Sequence, residues 1–299
     1  MVSMQDMKRR REGIRKIHQM TKAMQLVSTV KFQKTRKQEE KTRAYFQSLR
    51  DITAFLWEKL DAENNLFLNI NKSNIQDIVV ITSDRGMAGG YNSHVVHLAE
   101  EAALSGKETV FYVFGKKGKE LLKQKGLHLA DYSGEMVESD KRQAGLDYKK
   151  TKEMAKELWK RYQEGVCGSI WLIYTEFRNA ITQVPQKIRL FPPDPGAQQR
   201  QSDEAVPAVL EKEAVSTVLE TEPSEEAFLK QLMPVYLAGM LYGAWTEAAA
   251  SENGARMQAM DLATQNAEEM LTRLVLQYNR IRQGNITREL TEIVAGGES

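Results

Sequence analysis

The chain has too few cysteines and too few long apolar runs to belong to several large classes of protein. Its 299 residues include one cysteine, Cys167, which cannot form an internal disulfide and has no neighbouring metal ligands. Because Cys167 lies beside an apolar segment, we expect it to be a small packing residue. No stretch approaches the roughly 20 apolar residues of a membrane-spanning helix, and the mean hydropathy is negative. A soluble, cytosolic protein is therefore expected.

Targeting segments and catalytic clusters are also lacking. The first residues, MVSMQDMKRRREG, are charged and have no apolar core, so they do not read as a secretory signal. The helical pattern also begins too early for a mitochondrial transit peptide. Of the four histidines, only His94 and His97 are spaced to share a helix face, and two ligands do not make a metal site. We therefore predict no metal, no cofactor and no catalytic set.

Acidic residues are scarce in the first fifty positions. This segment contains fourteen Lys or Arg and four Asp or Glu, a local excess of +10, although the whole chain carries only +2. Such asymmetry indicates an acidic partner. The run Lys8–Arg11 leaves three interpretations open: a solvated helix face, a face turned toward an acidic protein surface, or nucleic acid. Nucleic acid is the least favoured, because no aromatic stacking residues are interleaved with these cations.

Both ends of the chain have the periodicity of long helices. Residues 3 to about 60 contain no proline and one glycine. Apolar or small residues recur there at Met7, Ile14, Ile17, Thr21, Met24 and Ser28. Near the other end they recur at 257, 260, 263, 267, 271, 274, 278, 281, 286, 290 and 293, with the helical period. Neither stripe would stabilise a lone helix, so the two helices are expected to pair and to project from the rest.

The predicted seam between these helices is poor in large aliphatic residues. Small side chains stand where a stable coiled coil would carry leucine, at Thr21, Ala23, Ser28, Ala263, Thr264 and Ala267. Small side chains let helix axes approach closely but sacrifice about 1 kcal/mol for each missing methylene. A slim rod that must fit inside a sleeve of other subunits would explain why close helix packing is favoured over hydrophobic stabilisation.

The middle of the chain predicts an α/β domain. Three short apolar runs, 77–82, 109–114 and 169–174, are typical of strands buried on both faces, and 186–190 is a weaker fourth candidate. Helical stretches near 93–104, 116–125 and 147–164 alternate with them. The predicted domains are a helix over 1–60, an α/β domain over 75–222 with an irregular connector at 192–222, and a helix over 223–299. Pro223 with Glu225 and Glu226 suits the start of that helix, and Pro234 is expected to kink it.

The loop Ser83–Asn92, SDRGMAGGYN, follows a predicted strand and precedes a predicted helix, where nucleotide-binding loops lie. It matches neither the dinucleotide fingerprint nor the phosphate-loop pattern, which needs Lys and Ser or Thr after its last glycine. We favour a tight turn, with Asp84 and Arg85 making structural or partner contacts.

Several motifs, in order along nearly the whole chain, resemble the gamma subunit of F-type ATP synthases. They are IHQMTKAMQLVSTVKFQK, ITSDRGMAGGYNS, SENGARMQAMDLATQNAEEM and YNRIRQGNITRELTEIVAGG. The resemblance implies the fold of that family: a long antiparallel coiled coil of the terminal helices with an inserted Rossmann-like α/β domain. It also implies a non-catalytic rotor shaft that transmits rotation of the membrane c ring to three catalytic beta subunits.

The resemblance implies partners and a location as well. The expected partners are the alpha and beta subunits of the hexamer, the epsilon subunit and the c-subunit ring, with one copy of this chain per complex. No chloroplast-type regulatory insertion is visible, because Cys167 is alone, and this points to a bacterial protein at the cytoplasmic face of the cell membrane. The coupling ion, H⁺ or Na⁺, is not specified by this chain.

The resemblance assigns contact residues by position. Lys22 and Met24, in the TKAM stretch, correspond to residues that face the acidic levers of the beta subunits. Arg282, Gln283 and Thr287 correspond to residues that bind the beta loops gripping the shaft, and a planar Arg fork suits a carboxylate there. Ile293 and Val294 resemble the tip that sits in an apolar bearing. The competing hypotheses are an α/β enzyme that binds a nucleotide at Ser83–Asn92 and a basic coiled-coil adaptor for nucleic acid.

Overall fold

The computed structural model describes residues 4–59, 73–104, 106–130, 148–192 and 225–296. In chain order the elements are α1 Met4–Lys59, β1 Ile75–Ile81, α2 Tyr91–Ala103, β2 Glu108–Phe114, α3 Lys116–Gln124, α4 Tyr148–Gln163, β3 Ser169–Phe177, β4 Gln183–Phe191 and α5 Glu225–Gly296. The three predicted strands, the weaker fourth and the helices between them are thereby confirmed. Nearly all of the predicted connector, and Pro223, lie outside the described residues.

The chain forms two compact units. The first contains the chain up to Gln33, the short segment Met87–Gly89 and the chain from Asn253 onward; the second contains Lys34–Gly86 and Gly90–Glu252. The three domains expected from the sequence stay a prediction. No helix within the described ranges combines the length and the apolar character needed to cross a membrane.

The second unit is built on a four-stranded sheet in the order β2-β1-β3-β4. Strand β1 runs parallel to β2 and to β3, and β4 pairs with β3 in the antiparallel direction. Strand β1 is buried along almost its whole length because helices cover both of its faces. Strand β4 lies at the edge and is mostly half-buried, which explains why its sequence predicted a strand only weakly.

Two apolar layers sandwich this sheet. On one face Ile78, Val80 and Ile173 pack with residues of α2 and α3. On the other, Val79 and Leu172 pack with α4 and with the part of α5 between Met233 and Ala248. The alternation follows from the strand period, in which successive side chains point to opposite faces. Pro234 lies within α5 rather than at its end.

The first unit pairs residues 4–33 of α1 with residues 253–296 of α5. The two segments are antiparallel, because Arg11 lies over the ring of Tyr278 while Gln25, further along α1, bonds to Asp261, earlier in α5. Their amide-to-carboxylate distance is 2.6 Å. The expected pairing of the terminal helices is therefore confirmed for these segments.

Three details of the predicted seam are wrong. The side chain of Ile17 is 46% exposed, and Ala23 is exposed as well. The buried positions Met7, Thr21 and Ser28 are multiples of seven residues apart, so Ile17 falls on the flank of the narrow heptad stripe. In α5 the apolar stripe stops being buried after residue 281, and Ile286, Leu290 and Ile293 are exposed, the last by 70%.

Candidate partner-contact sites

Lys22 and Met24 lie on α1 between two polar cross-helix contacts. Beside them, the hydroxyl of Thr264 lies 2.9 Å from that of Thr21, and the amide of Gln25 bonds to Asp261. These contacts fix which face of α1 meets α5. The side chain of Lys22 is consequently exposed, whereas Met24 is half-buried. A partner could therefore reach the whole side chain of the predicted lysine but only part of the predicted methionine.

The buried hydroxyl pair has limited donor capacity. Thr21 donates to the carbonyl of His18 at 3.1 Å, and Thr264 lies 2.7 Å from the carbonyl of Met260. A hydroxyl carries one hydrogen. The hydrogen of Thr264 therefore points either to Thr21 or to its own helix, and the contact across the seam competes with a contact within α5. Such polar positions fix register while contributing little apolar stabilisation.

Arg282, Gln283 and Thr287 lie on α5, and all three are exposed. Gln283 and Thr287 are four residues apart and share a helix face. The hydroxyl of Thr287 donates to the backbone carbonyl of Gln283 at 3.0 Å. Arg282 is displaced around the helix from this pair. Within the part of the chain that the structure describes, its guanidinium forms no ion pair, so its donors are available to a partner.

Exposed apolar side chains surround the same stretch of α5. Ile286 and Leu290 are spaced four residues apart and are 48% and 58% exposed. The sequence analysis placed both in the helix seam and named only Ile293 and Val294 as tip residues. Ile293 is exposed, while the side chain of Val294 lies outside the described residues. Periodicity alone does not separate 286 and 290 from the seam. Met4, the first described residue of α1, already lies beside Asn285, so the described part of α1 does not reach them.

The Ser83–Asn92 loop is held together by its own hydrogen bonds. The side-chain oxygen of Asn92 accepts from the backbone N–H of Ser83 at 3.0 Å, and the hydroxyl of Ser83 donates to the carbonyl of Arg85 at 2.7 Å. Asp84 accepts from the backbone N–H of Lys116 at 3.0 Å. Asp84 therefore makes a structural contact, as the sequence analysis favoured.

The neighbouring helix α3 offers no free N-terminus to an anion. Its backbone N–H groups at Lys116, Lys117 and Gly118 donate to Asp84, to the carbonyl of Ser83 and to the hydroxyl of Thr82. The N–H groups that bind phosphate at other helix starts are thus already used. Gly115, at φ 101°, lets the start of α3 lie close to the backbone of Thr82, because a Cβ there would lie 2.3 Å from the carbonyl oxygen of Thr82.

Neither the histidines nor the cysteine forms a reactive cluster in the described residues. No group of three metal-binding side chains occurs there, and His97 contacts Glu101 on the surface of α2 at 3.2 Å. Cys167 is fully buried. Burial, and then the charge of Asp77, raise the pKa of its thiol well above the ordinary value, so it stays protonated and packs as a small apolar residue.

Comparison with known proteins decides the family. The ATP synthase family model matches residues 3–299. The ATP synthase gamma chain of Lachnoclostridium phytofermentans is 41% identical over 100% of this chain and 99% of its own length. The gamma chain of Anaeromyxobacter dehalogenans strain 2CP-C is 36% identical over 100% of both chains. The chain belongs to the ATP synthase gamma chain family. This membership confirms the family predicted from the motifs and, with it, the assignment to the central stalk of an F-type ATP synthase.

A solved structure shows the same fold as this gamma-family chain. A chain in the OSCP/F1/c-ring structure of the Euglena gracilis mitochondrial ATP synthase, rotational state 3, aligns with a TM-score of 0.66. The alignment covers 98% of this chain and 92% of that chain at 21% identity. The predicted combination of paired terminal helices with an inserted Rossmann-like domain is thereby confirmed.

One buried ion pair of this gamma-family chain was missed by the sequence analysis. The carboxylate of Asp77 on β1 is fully buried and accepts two bonds from the guanidinium of Arg161 on α4, at 2.8 and 3.2 Å. The hydrogen bond to Asp77 raises the pKa of Arg161 further, against the opposing effect of burial. Burial, and then the charge of Asp77, raise the pKa of the neighbouring Tyr112. An aspartate directly before the apolar run 78–81 was the available signal.

Proposed function

We propose that this chain is the central rotor shaft of an F-type ATP synthase. It transmits rotation of a membrane c ring to three catalytic beta subunits, drives ATP synthesis, and works in reverse as an ATP-driven ion pump. The observation that carries the proposal is the exposed surface of α5 near residues 282–293. There Ile286, Leu290 and Ile293 are exposed, and Arg282 forms no ion pair with the residues that the structure describes, in a chain that belongs to the gamma family.

The proposal includes the partners and the location. The alpha and beta subunits surround the paired helices, the epsilon subunit and the c ring meet the α/β domain, and each complex holds one copy. The complex lies at the cytoplasmic face of a bacterial membrane, to which this chain is peripheral. The chain has no catalytic site and binds no cofactor or nucleic acid. Supporting this, the first backbone N–H groups of α3 already donate to Asp84, Ser83 and Thr82, so they are not available to a nucleotide phosphate.

Co-purification tests the proposed function directly. The chain is co-expressed with alpha and beta subunits of the same organism, and the isolated complex is assayed for ATP hydrolysis. We expect a stable complex that contains one copy of this chain and hydrolyses ATP. A chain that forms no such complex, or that binds and hydrolyses ATP alone, would contradict the proposal.

The grip assigned to Arg282 and Gln283 makes a sharper prediction. Replacing both by alanine removes a guanidinium fork and an amide from the proposed contact with beta. Truncating one member of a hydrogen-bonded interfacial charge pair costs about 2–5 kcal/mol. We therefore expect Arg282→Ala with Gln283→Ala to weaken assembly or ATP-driven ion pumping, while the circular dichroism and thermal unfolding of the isolated chain stay unchanged.

The matched control is Lys119→Ala with Gln124→Ala, which also removes one cation and one amide from an exposed helix. It should leave assembly with the alpha and beta subunits at the wild-type level. Wild-type pumping and assembly in the Arg282/Gln283 variant would refute the assigned grip without affecting the family assignment.

The contact assigned to Lys22 and Met24 is proposed on the same basis. The exposed ammonium of Lys22 meets the acidic lever of a beta subunit, and the half-buried thioether of Met24 packs at the edge of that contact. The local excess of +10 in the first fifty residues supports an acidic partner on this side of the helix pair.

A further inference from the structure

Two cations share one aromatic ring at the edge of the sheet. Trp171 on β3 pairs across the strands with Arg189 on β4, and Lys187 follows on the same face two residues away. The ammonium of Lys187 lies 4.5 Å from the centre of the indole ring, and the guanidinium carbon of Arg189 lies 5.7 Å from it. Both positions fall within the range of cation–π attraction. We call Trp171, Lys187 and Arg189 the edge cluster.

The edge cluster has no counterion in the described part of the chain. Neither Lys187 nor Arg189 forms an ion pair there, and the Nε–H of Arg189 is buried without a hydrogen-bond acceptor. On α2, Glu100 contacts Lys125 and Glu101 contacts His97. Burial, and then the charge of Lys107, lower the pKa of Lys187. Positive charge therefore accumulates at a half-buried site, although a buried polar group ordinarily has a partner.

We propose that the edge cluster binds the carboxylate side chains of an acidic protein segment. A carboxylate placed beside the ring accepts from the Arg189 fork and from the Lys187 ammonium together. Bonds between a cation and a carboxylate are about twice as strong as neutral ones. The indole face holds both donors in position before the partner arrives, which reduces the conformational entropy lost on binding.

The chemistry of the cluster favours a protein carboxylate over other anions. An anionic membrane surface is usually bound by about four to eight clustered Lys or Arg, and this site has two on the ring with Lys107 nearby. A nucleotide phosphate is usually held by several convergent backbone N–H groups at a helix start or glycine-rich loop. The residues that form this cluster lie on the paired strands β3 and β4, not at a helix start or in a glycine-rich loop.

The edge cluster is distinct from the contacts that the rotor proposal assigns to the beta subunits. It lies in the second unit, and none of its residues belongs to the contacts assigned to the beta subunits. A binding measurement on the full-length chain therefore tests the cluster alone, whereas the co-purification experiment tests the rotor function alone. A negative result in one experiment would leave the proposal tested by the other unaffected.

The test uses a fluorescein-labelled decapeptide of alternating glutamate and glycine as the probe. Its binding to the full-length chain is followed by fluorescence anisotropy at low ionic strength. We expect Lys187→Ala with Arg189→Ala to weaken binding by about tenfold or more, since both charge-assisted donors are lost. Trp171→Phe should retain most of the affinity, because it keeps an aromatic face, and Trp171→Ala should not.

The control is Lys119→Ala with Lys123→Ala, which removes two positive charges from exposed positions of α3. It should keep wild-type affinity, which distinguishes an effect of the edge cluster from an effect of the net charge of the chain. Unchanged thermal unfolding midpoints show that each variant is folded. Equal losses in both double variants would overturn the proposal. So would retained binding in Lys187→Ala with Arg189→Ala, or cluster-dependent binding of phosphatidylglycerol vesicles or inorganic phosphate in preference to the peptide.

Discussion

At the scale of single residues, the buried Asp77–Arg161 pair is expected to contribute to the stability of the second unit. Asp77 is 0% exposed, so its charge is stabilised by the guanidinium rather than by water. Asp77→Asn keeps the shape and removes the charge. Breaking one side of a buried pair costs about 3–5 kcal/mol. Because Arg161 is partly exposed and can recover some hydration, we expect a loss near the lower end, about 3 kcal/mol.

Denaturant unfolding of the full chain measures this loss. The control is Glu153→Gln, which makes the same change from carboxylate to amide at an exposed position of α4. It should change the unfolding free energy by less than about 0.5 kcal/mol. Equal stability of the Asp77 and Glu153 variants would show that the buried pair contributes nothing.

Contacts between individual residues were the features that the sequence predicted least well. Asp77 and Arg161 are 84 residues apart in the sequence, and only the packing of α4 on β1 brings them together. Arg282, Gln283 and Thr287 were named from family position, and the structure adds only that they are exposed. Their partners belong to other chains, so neither the sequence nor this fold specifies the contact itself.

At the scale of elements, α1 and α5 pack closely in the second unit because glycine occupies the contact. A Cβ added at Gly243 would lie 2.9 Å from two ring carbons of Phe46. Alanine improves helix propensity by about 1 kcal/mol, but overpacking costs about 1–3 kcal/mol. We expect Gly243→Ala to lower the unfolding free energy by about 1 kcal/mol in total.

Thermal and denaturant unfolding compare this variant with Gly284→Ala on the same helix. A Cβ at Gly284 would meet no atom within 4 Å, so only the propensity gain of up to about 1 kcal/mol remains. The two variants should therefore shift stability in opposite directions. Stabilisation by both would mean that the Phe46 ring moves aside without cost.

The elements were predictable to the extent that local pattern determines them. Strands β1 and β3 contain apolar runs because both of their faces are covered, whereas β4 is mostly half-buried and its polar residues partly obscured it. The helix stripe gave the buried positions Met7 and Thr21 correctly. The same stripe wrongly included Ile17. Positions repeating every seven residues form a narrower buried stripe than positions that alternate in steps of three and four. Exposure at Leu290 depends on where the partner helix ends, which periodicity does not report.

At the scale of the whole molecule, the unequal distribution of charge carries the largest consequence for assembly. The first fifty residues carry +10, while the chain as a whole carries +2. A concentrated field of this kind steers encounter with an acidic partner and accelerates association by about 10- to 1,000-fold at low salt. The proposed acidic levers of the beta subunits would be such a partner, and Lys22 is the exposed cation assigned to them.

Charge reversal tests this steering. We expect Arg10→Glu with Lys22→Glu to slow association of the chain with alpha and beta subunits by about tenfold at low ionic strength. The difference from wild type should shrink as salt rises, because the screening length falls to about 8 Å at 0.15 M. Stopped-flow fluorescence at several salt concentrations measures both effects. Lys119→Glu with Lys123→Glu, which reverses two charges on exposed α3, should associate at the wild-type rate. If both variants slow association equally, net charge rather than the N-terminal field controls encounter.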